Sequence, residues 1–144
     1  MTGLRWLKLN NTNIDWIPEE FATLDKLESL SLIRNNLVTL HGELMSMHSL
    51  RSLVFRHNNI NNNGLPSELF KLEELSVLDL SDNQLKNVPT DLEKCKGLLV
   101  LNLSKNSIEL IPNQLFVNLT DLLHLDLSYN NLGIYKILSF IYIF

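Results

Sequence analysis

One pattern, L-x-x-L-x-L-x-x-N-x-L, returns six times along the chain at intervals of 23 to 25 residues, starting at Leu4, Leu27, Leu50, Leu75, Leu98 and Leu122. A period of this length constrains the fold more than any single motif, because one unit cannot bury its apolar face alone and has to stack on the next. Within a unit, inner leucines alternate with an outward residue, as Leu78 and Leu80 flank Asp79. That is the period of two of a strand. Between the strands come Ile17-Pro18, Leu65-Pro66, Val88-Pro89 and Ile111-Pro112, followed by the apolar residues Phe21, Leu69, Leu92 and Leu115; the second unit carries Leu40-His41 instead. These segments read as short helices or irregular turns that carry the chain back. The pattern accounts for the 33 Leu and 18 Asn among 144 residues.

This frame is the leucine-rich-repeat signature. It predicts an α/β fold, a right-handed curved solenoid with a parallel concave sheet, of about five and a half repeats over residues 1–133 and without complete caps. Asn35, Asn58, Asn83, Asn106 and Asn130 occupy the ninth position, where the chain bends inward and leaves backbone groups without ladder partners. A buried amide has two donors and an acceptor for them, so a stacked structural ladder is expected, bonding its own loop and the next coil. Thr12 takes that position in the first repeat with a single donor, so the first coil should be looser. Residues 134–144 break the frame as an apolar tail that Lys136 interrupts. They are too short for a bilayer span of about 20 residues and read as an altered or truncated terminus, with a cap strand or a lipid-seeking tail as the alternatives.

Composition removes several classes. A net charge of -4 with no long Lys/Arg run argues against nucleic acid as the main partner. Cys95 is the only cysteine, so no intrachain disulfide framework and no cysteine-based zinc cluster is possible, and a reducing compartment is expected. Met1 to Leu9 lacks the continuous apolar stretch of a secretory signal. The sequons at Asn10, Asn102 and Asn118 are therefore read as chance matches. His41, His48, His57 and His124 fall in different repeats and phases, and no catalytic or phosphate-binding motif is present. No enzyme, metal site or cofactor is expected. Cys95, in a return segment where other repeats are apolar, is expected to be a buried inert thiol.

Stacking in register makes the outward strand residues one continuous surface, where partner binding is expected. The first three repeats present Arg5, Trp6, Lys8, Glu28, Ser31, Arg34, Arg51, Val54, Arg56 and His57, a basic end. The last three present Asp79, Asp82, Asn102, Lys105, His124, Asp126 and Tyr129, which leans acidic. Charges in that order would steer an extended partner such as a helix or coiled coil, with Trp6 and Tyr129 as anchors, although Trp6 could equally be covered by an upstream repeat.

The stretches LRWLKLNNT (4 to 12), TLHGEL (39 to 44), FKLEELSVLDLSDNQL (70 to 85) and LVLNLSKNSIELIPNQLFVNLTDLLHLDLS (99 to 128) carry a resemblance, sharpened by Trp6, His41-Gly42-Glu43 and Asn113-Gln114 off the repeat frame. From Met1 to Asn131 the chain resembles the N-terminal leucine-rich-repeat region of the flightless-1 family of gelsolin-superfamily actin regulators. The resemblance implies an adaptor of the cytoplasm and nucleus whose repeats bind coiled-coil proteins and are linked to Ras-type GTPases, in actin cytoskeleton and transcription regulation. In that family gelsolin-like segments engage actin, and they are absent here, so no direct actin binding is expected. Members also carry further repeats on both sides, which implies a fragment. The alternatives are a short Ras-regulating repeat protein and a regulatory repeat domain detached from an enzyme.

Overall fold

The computed structural model describes residues 1–40, 42–112 and 115–133. Each repeat contributes one strand of three residues: β1 (Trp6–Lys8), β2 (Ser29–Ser31), β3 (Ser52–Val54), β4 (Val77–Asp79), β5 (Val100–Asn102) and β6 (His124–Asp126). They form one parallel sheet in the order β1-β2-β3-β4-β5-β6. Pairing is in register, so Leu7, Leu30, Leu53, Leu78, Leu101 and Leu125 share one inward column. A register slip of one residue would turn this column outward, which is why the leucine frame specifies the pairing. The result is the leucine-rich-repeat solenoid expected from the sequence.

The chain returns through 3-10 turns at Glu19–Thr23, Gly42–Ser46, Ser67–Lys71, Thr90–Lys94 and Leu115–Asn118, and no α-helix occurs among the described residues. Pro18, Pro66 and Pro89 stand immediately before three of them with φ of -62°, -69° and -60°. Proline suits that place because its fixed φ starts the turn and its missing N–H is one a helix start cannot satisfy internally. Each of these turns closes with a backbone bond three residues back, as from Leu24 N to Phe21 O at 2.9 Å.

Between sheet and turns lies a continuous apolar core in which Leu30, Leu53, Phe55, Leu78 and Leu101 are fully buried, each contributing roughly 1.5–3 kcal/mol relative to exposure. Leu7, Leu125 and Leu127, in the outermost coils, are only partly buried. The third unit is 25 residues long and holds an additional turn, Asn62–Gly64, whose start is capped by the Asn61 side chain accepting from Asn63 N and Gly64 N. Its Gly64 has no room for a side chain, since a Cβ there would lie 2.1 Å from Val38 O. The close approach places Gly64 O to accept from Leu40 N at 2.7 Å. The apolar tail, His41 and Asn113-Gln114, on which sequence expectations also fell, lie outside the described residues.

Candidate functional site

The ninth-position asparagines hold the chain where it leaves the sheet. Asn106 is typical: its Oδ1 accepts from Leu85 N at 2.9 Å, and its Nδ2 donates to Leu80 O at 3.0 Å, Leu103 O at 3.0 Å and Ser104 O at 3.3 Å. Asn35, Asn58, Asn83 and Asn130 repeat this arrangement. Every one of these inter-coil bonds reaches the preceding coil, not the next one as the sequence suggested. The direction follows from geometry, because the inward bend carries the amide under the coil already laid down. Thr12 is exposed, and its hydroxyl lies 2.9 Å from Leu9 O and 3.1 Å from Asn35 Oδ1. One proton serves only one of them at a time.

Immediately before each ladder residue the backbone is left-handed. Asn11, Arg34, His57, Asp82, Lys105 and Tyr129 have φ between 54° and 60°, with no glycine among them. This conformation costs a side-chain-bearing residue roughly 1–2 kcal/mol, least for Asn and Asp. The six form a row along the C-terminal edge of the sheet. Within it His57 Nδ1 meets Asp82 Oδ2 at 2.5 Å, and Lys105 Nζ lies 5.8 Å from the centre of the Tyr129 ring. Asn10, Asn11, Arg34, Arg56, His57 and Asp82 enclose a hollow of about 270 Å³.

The open face of the sheet shows two in-register columns. One runs Trp6, Ser29, Ser52, Val77, Val100, His124; the other runs Lys8, Ser31, Val54, Asp79, Asn102, Asp126. Trp6, Lys8, Arg34, Arg56, His57, Lys105, His124 and Tyr129 are exposed there, and Val54, Asp79, Asp82, Asn102 and Asp126 are half-buried. Ser31 corrects the expectation: it is 6% exposed, and its hydroxyl donates to Asn10 Oδ1 at 2.9 Å, so it is part of the scaffold and not a contact residue. Asp79, Asn102 and Asp126 each commit one oxygen to the amide of Ser81, Ser104 or Ser128 two residues on. The Ser128 hydroxyl, and then its amide, hold the Asp126 carboxyl below the usual carboxylate range.

The expected basic end is narrower than its residue list. Arg5 pairs with Glu28, and Arg51 with Glu74 at 3.1 Å, so neighbouring coils neutralise two of the arginines. Lys8, Arg34 and Arg56 have no ion-pair partner among the described residues.

Sequence reasoning missed an apolar feature. At the second position of the frame the first coils carry Arg5, Glu28, Arg51 and Ser76, whereas the last two carry Leu99 and Leu123, 38% and 83% exposed. These two are successive rungs, with Leu123 N donating to Leu99 O at 2.9 Å. A leucine at a variable position of a leucine frame was the available signal. Trp16, on the return side, is also exposed, at 65%.

Cys95 is buried, its Sγ 3.4 Å from Phe70 O, and burial pushes its thiol up to about 12. Among the described residues no group of three or more His, Cys, Asp or Glu is placed to hold a metal ion, and no helix is long and apolar enough to cross a membrane.

The family model of the leucine rich repeat matches residues 2–60 and 73–132. The chain is 53% identical over 132 residues, 92% of its length, to a flightless-1 homologue of Caenorhabditis elegans, and 63% identical over 121 residues, 84% of its length, to that of Homo sapiens. It spans about 10% of the length of each of these relatives. Among solved structures it resembles a leucine-rich-repeat protein of Leptospira interrogans, with a TM-score of 0.86 and 28% identity over 96% of this chain and 35% of that one. The resemblance to flightless-1 read from the sequence is thus borne out, as is the repeat fold. The repeats and the relatives make the chain a protein-interaction repeat module. It belongs to the leucine-rich-repeat family.

Proposed function

We propose that the chain is the docking module of an adaptor resembling flightless-1, acting in the cytoplasm and nucleus, which binds coiled-coil proteins or signalling partners such as Ras-type GTPases across the open face of its sheet. The observation that carries this reading is the pair Arg34 and Arg56, exposed side by side at the edge of that face without an ion-pair partner among the described residues. Exposed cations left uncompensated by the fold speed encounter with an acidic surface and set its register. Exposed Trp6 and Tyr129 at opposite ends of the sheet supply aromatic anchors.

The test is surface resonance against a panel of immobilised synthetic two-stranded coiled coils at two ionic strengths. Arg34→Glu with Arg56→Glu is expected to slow association and flatten its salt dependence. Lys86→Glu with Lys96→Glu changes net charge equally at exposed positions off the sheet and is expected to leave binding within twofold. If the off-sheet pair weakens binding as much as the arginine pair, the open face is not the docking surface.

A further inference from the structure

We propose that the open face seats one amphipathic helix of a partner protein lying diagonally across it, with two carboxylates at one end held by Arg34 and Arg56 and apolar side chains at the other end resting on Leu99, Val100 and Leu123. This deepens the docking reading above and rests on it.

Two unlike patches at opposite corners define the diagonal. At the C-terminal edge, Arg34 and Arg56 belong to adjacent coils, with Arg34 N donating to Arg56 O at 3.0 Å, and they line one hollow. Asp82, the carboxylate lining that hollow, bonds His57 at 2.5 Å, and neither exposed arginine has an ion-pair partner among the described residues. Guanidinium groups are suited to carboxylates, which their planar donors can grip in pairs. At the N-terminal edge, three coils away, Leu99 and Leu123 are exposed beside the half-buried Val100. Between the corners the floor is formed by the half-buried Val54, Val77 and Asp79, and one Asp79 oxygen is taken by the Ser81 amide.

A helix fits this face better than an extended peptide. The strands spend their backbone groups on each other, so the face offers no ladder to an added strand, whereas a helix satisfies its own backbone. Three coils at about 4.8 Å, combined with a shift of five or six residues at about 3.3 Å along the strands, give a diagonal of roughly 22 Å. At about 1.5 Å per residue that is four helical turns. Carboxylates one turn apart match two arginines one coil apart, since side chains at i and i+4 stand about 5–6 Å apart.

The probe is a stapled helix of twenty-two residues with glutamates at its second and sixth positions, alanines at its ninth and thirteenth, and leucines at its sixteenth and twentieth. Its companion carries glutamines for the glutamates. Fluorescence anisotropy with the full chain is expected to show saturable binding of the glutamate probe. Arg34→Gln with Arg56→Gln should weaken that binding at least tenfold and change the glutamine probe less than twofold. Leu99→Ser with Leu123→Ser should weaken both probes alike, at least fivefold, with all variants unfolding at the native urea midpoint. Absence of saturable binding by the glutamate probe, or an arginine effect equal on both probes, overturns the placement. If the coiled-coil panel still separates the arginine pair from the off-sheet lysines, only this placement fails; if it does not, the docking reading fails with it.

Discussion

The eighth and ninth residues of each repeat are neighbours in the chain and are treated in opposite ways. The ninth is enclosed by bonds: Asn106 makes four, to two coils, and is 8% exposed. The eighth stands in the left-handed region, where Gly, Asn or Asp is least costly, yet coils two, three, five and six hold Arg34, His57, Lys105 and Tyr129. At the ninth position the fold dictates the residue. At the eighth the fold would accept glycine, so what stands there serves something other than the fold.

The largest effect that bears on this contrast is loss of a ladder amide. Asn83→Ala and Asn106→Ala each strand an amide N–H and carbonyls of two coils and should destabilise the chain by about 1–3 kcal/mol. Asn87→Ala, at an exposed position on the return side, should stay within about 0.5 kcal/mol. Urea midpoints measured on the three variants compare them directly; equal shifts would dissolve the distinction between a dictated and a permitted asparagine.

A smaller effect concerns the fifth position, where an oxygen is needed but its charge is not. Asn102 and Asp126 make the same two bonds, to the amide and hydroxyl of the serine two residues on. Asp126→Asn should therefore change stability at pH 7 by no more than about 0.5 kcal/mol. Because the folded state lowers the Asp126 pKa from 3.8, the carboxylate contributes its stability above about pH 4 and loses it as pH falls through the lowered value. The asparagine variant should lack that part of the acid dependence. Identical urea midpoints of variant and native chain relative to each other from pH 7 to pH 2 would show that the serine bonds do not favour the charged form.

The frame was legible because burial repeats: strand positions, return segments and the asparagine ladder follow from where Leu and Asn recur. What escaped the sequence depends on neighbours a whole coil away. That Glu28 sits across from Arg5 and Glu74 near Arg51 is visible only once the period is converted into stacking, and it removes two cations from the expected basic end. The phase of Ser31 points it outward, but it is buried and its hydroxyl donates to Asn10 of the preceding coil. The left-handed eighth position carries no glycine signature, so no residue type announced it. Gly64 was equally silent, because its constraint is the carbonyl of Val38 and not its own φ.

The central claim, that eighth-position side chains are not there for the fold, is tested by the urea midpoint of one variant combining Arg34→Gly, His57→Gly, Lys105→Gly and Tyr129→Gly. Relief of left-handed strain, roughly 1–2 kcal/mol per site, outweighs the loss of an exposed His57–Asp82 contact and of the Lys105–Tyr129 contact, each worth at most about 1 kcal/mol. The variant should unfold at or above the native midpoint. A midpoint lowered as far as that of Asn106→Ala would contradict the claim and make the eighth position structural.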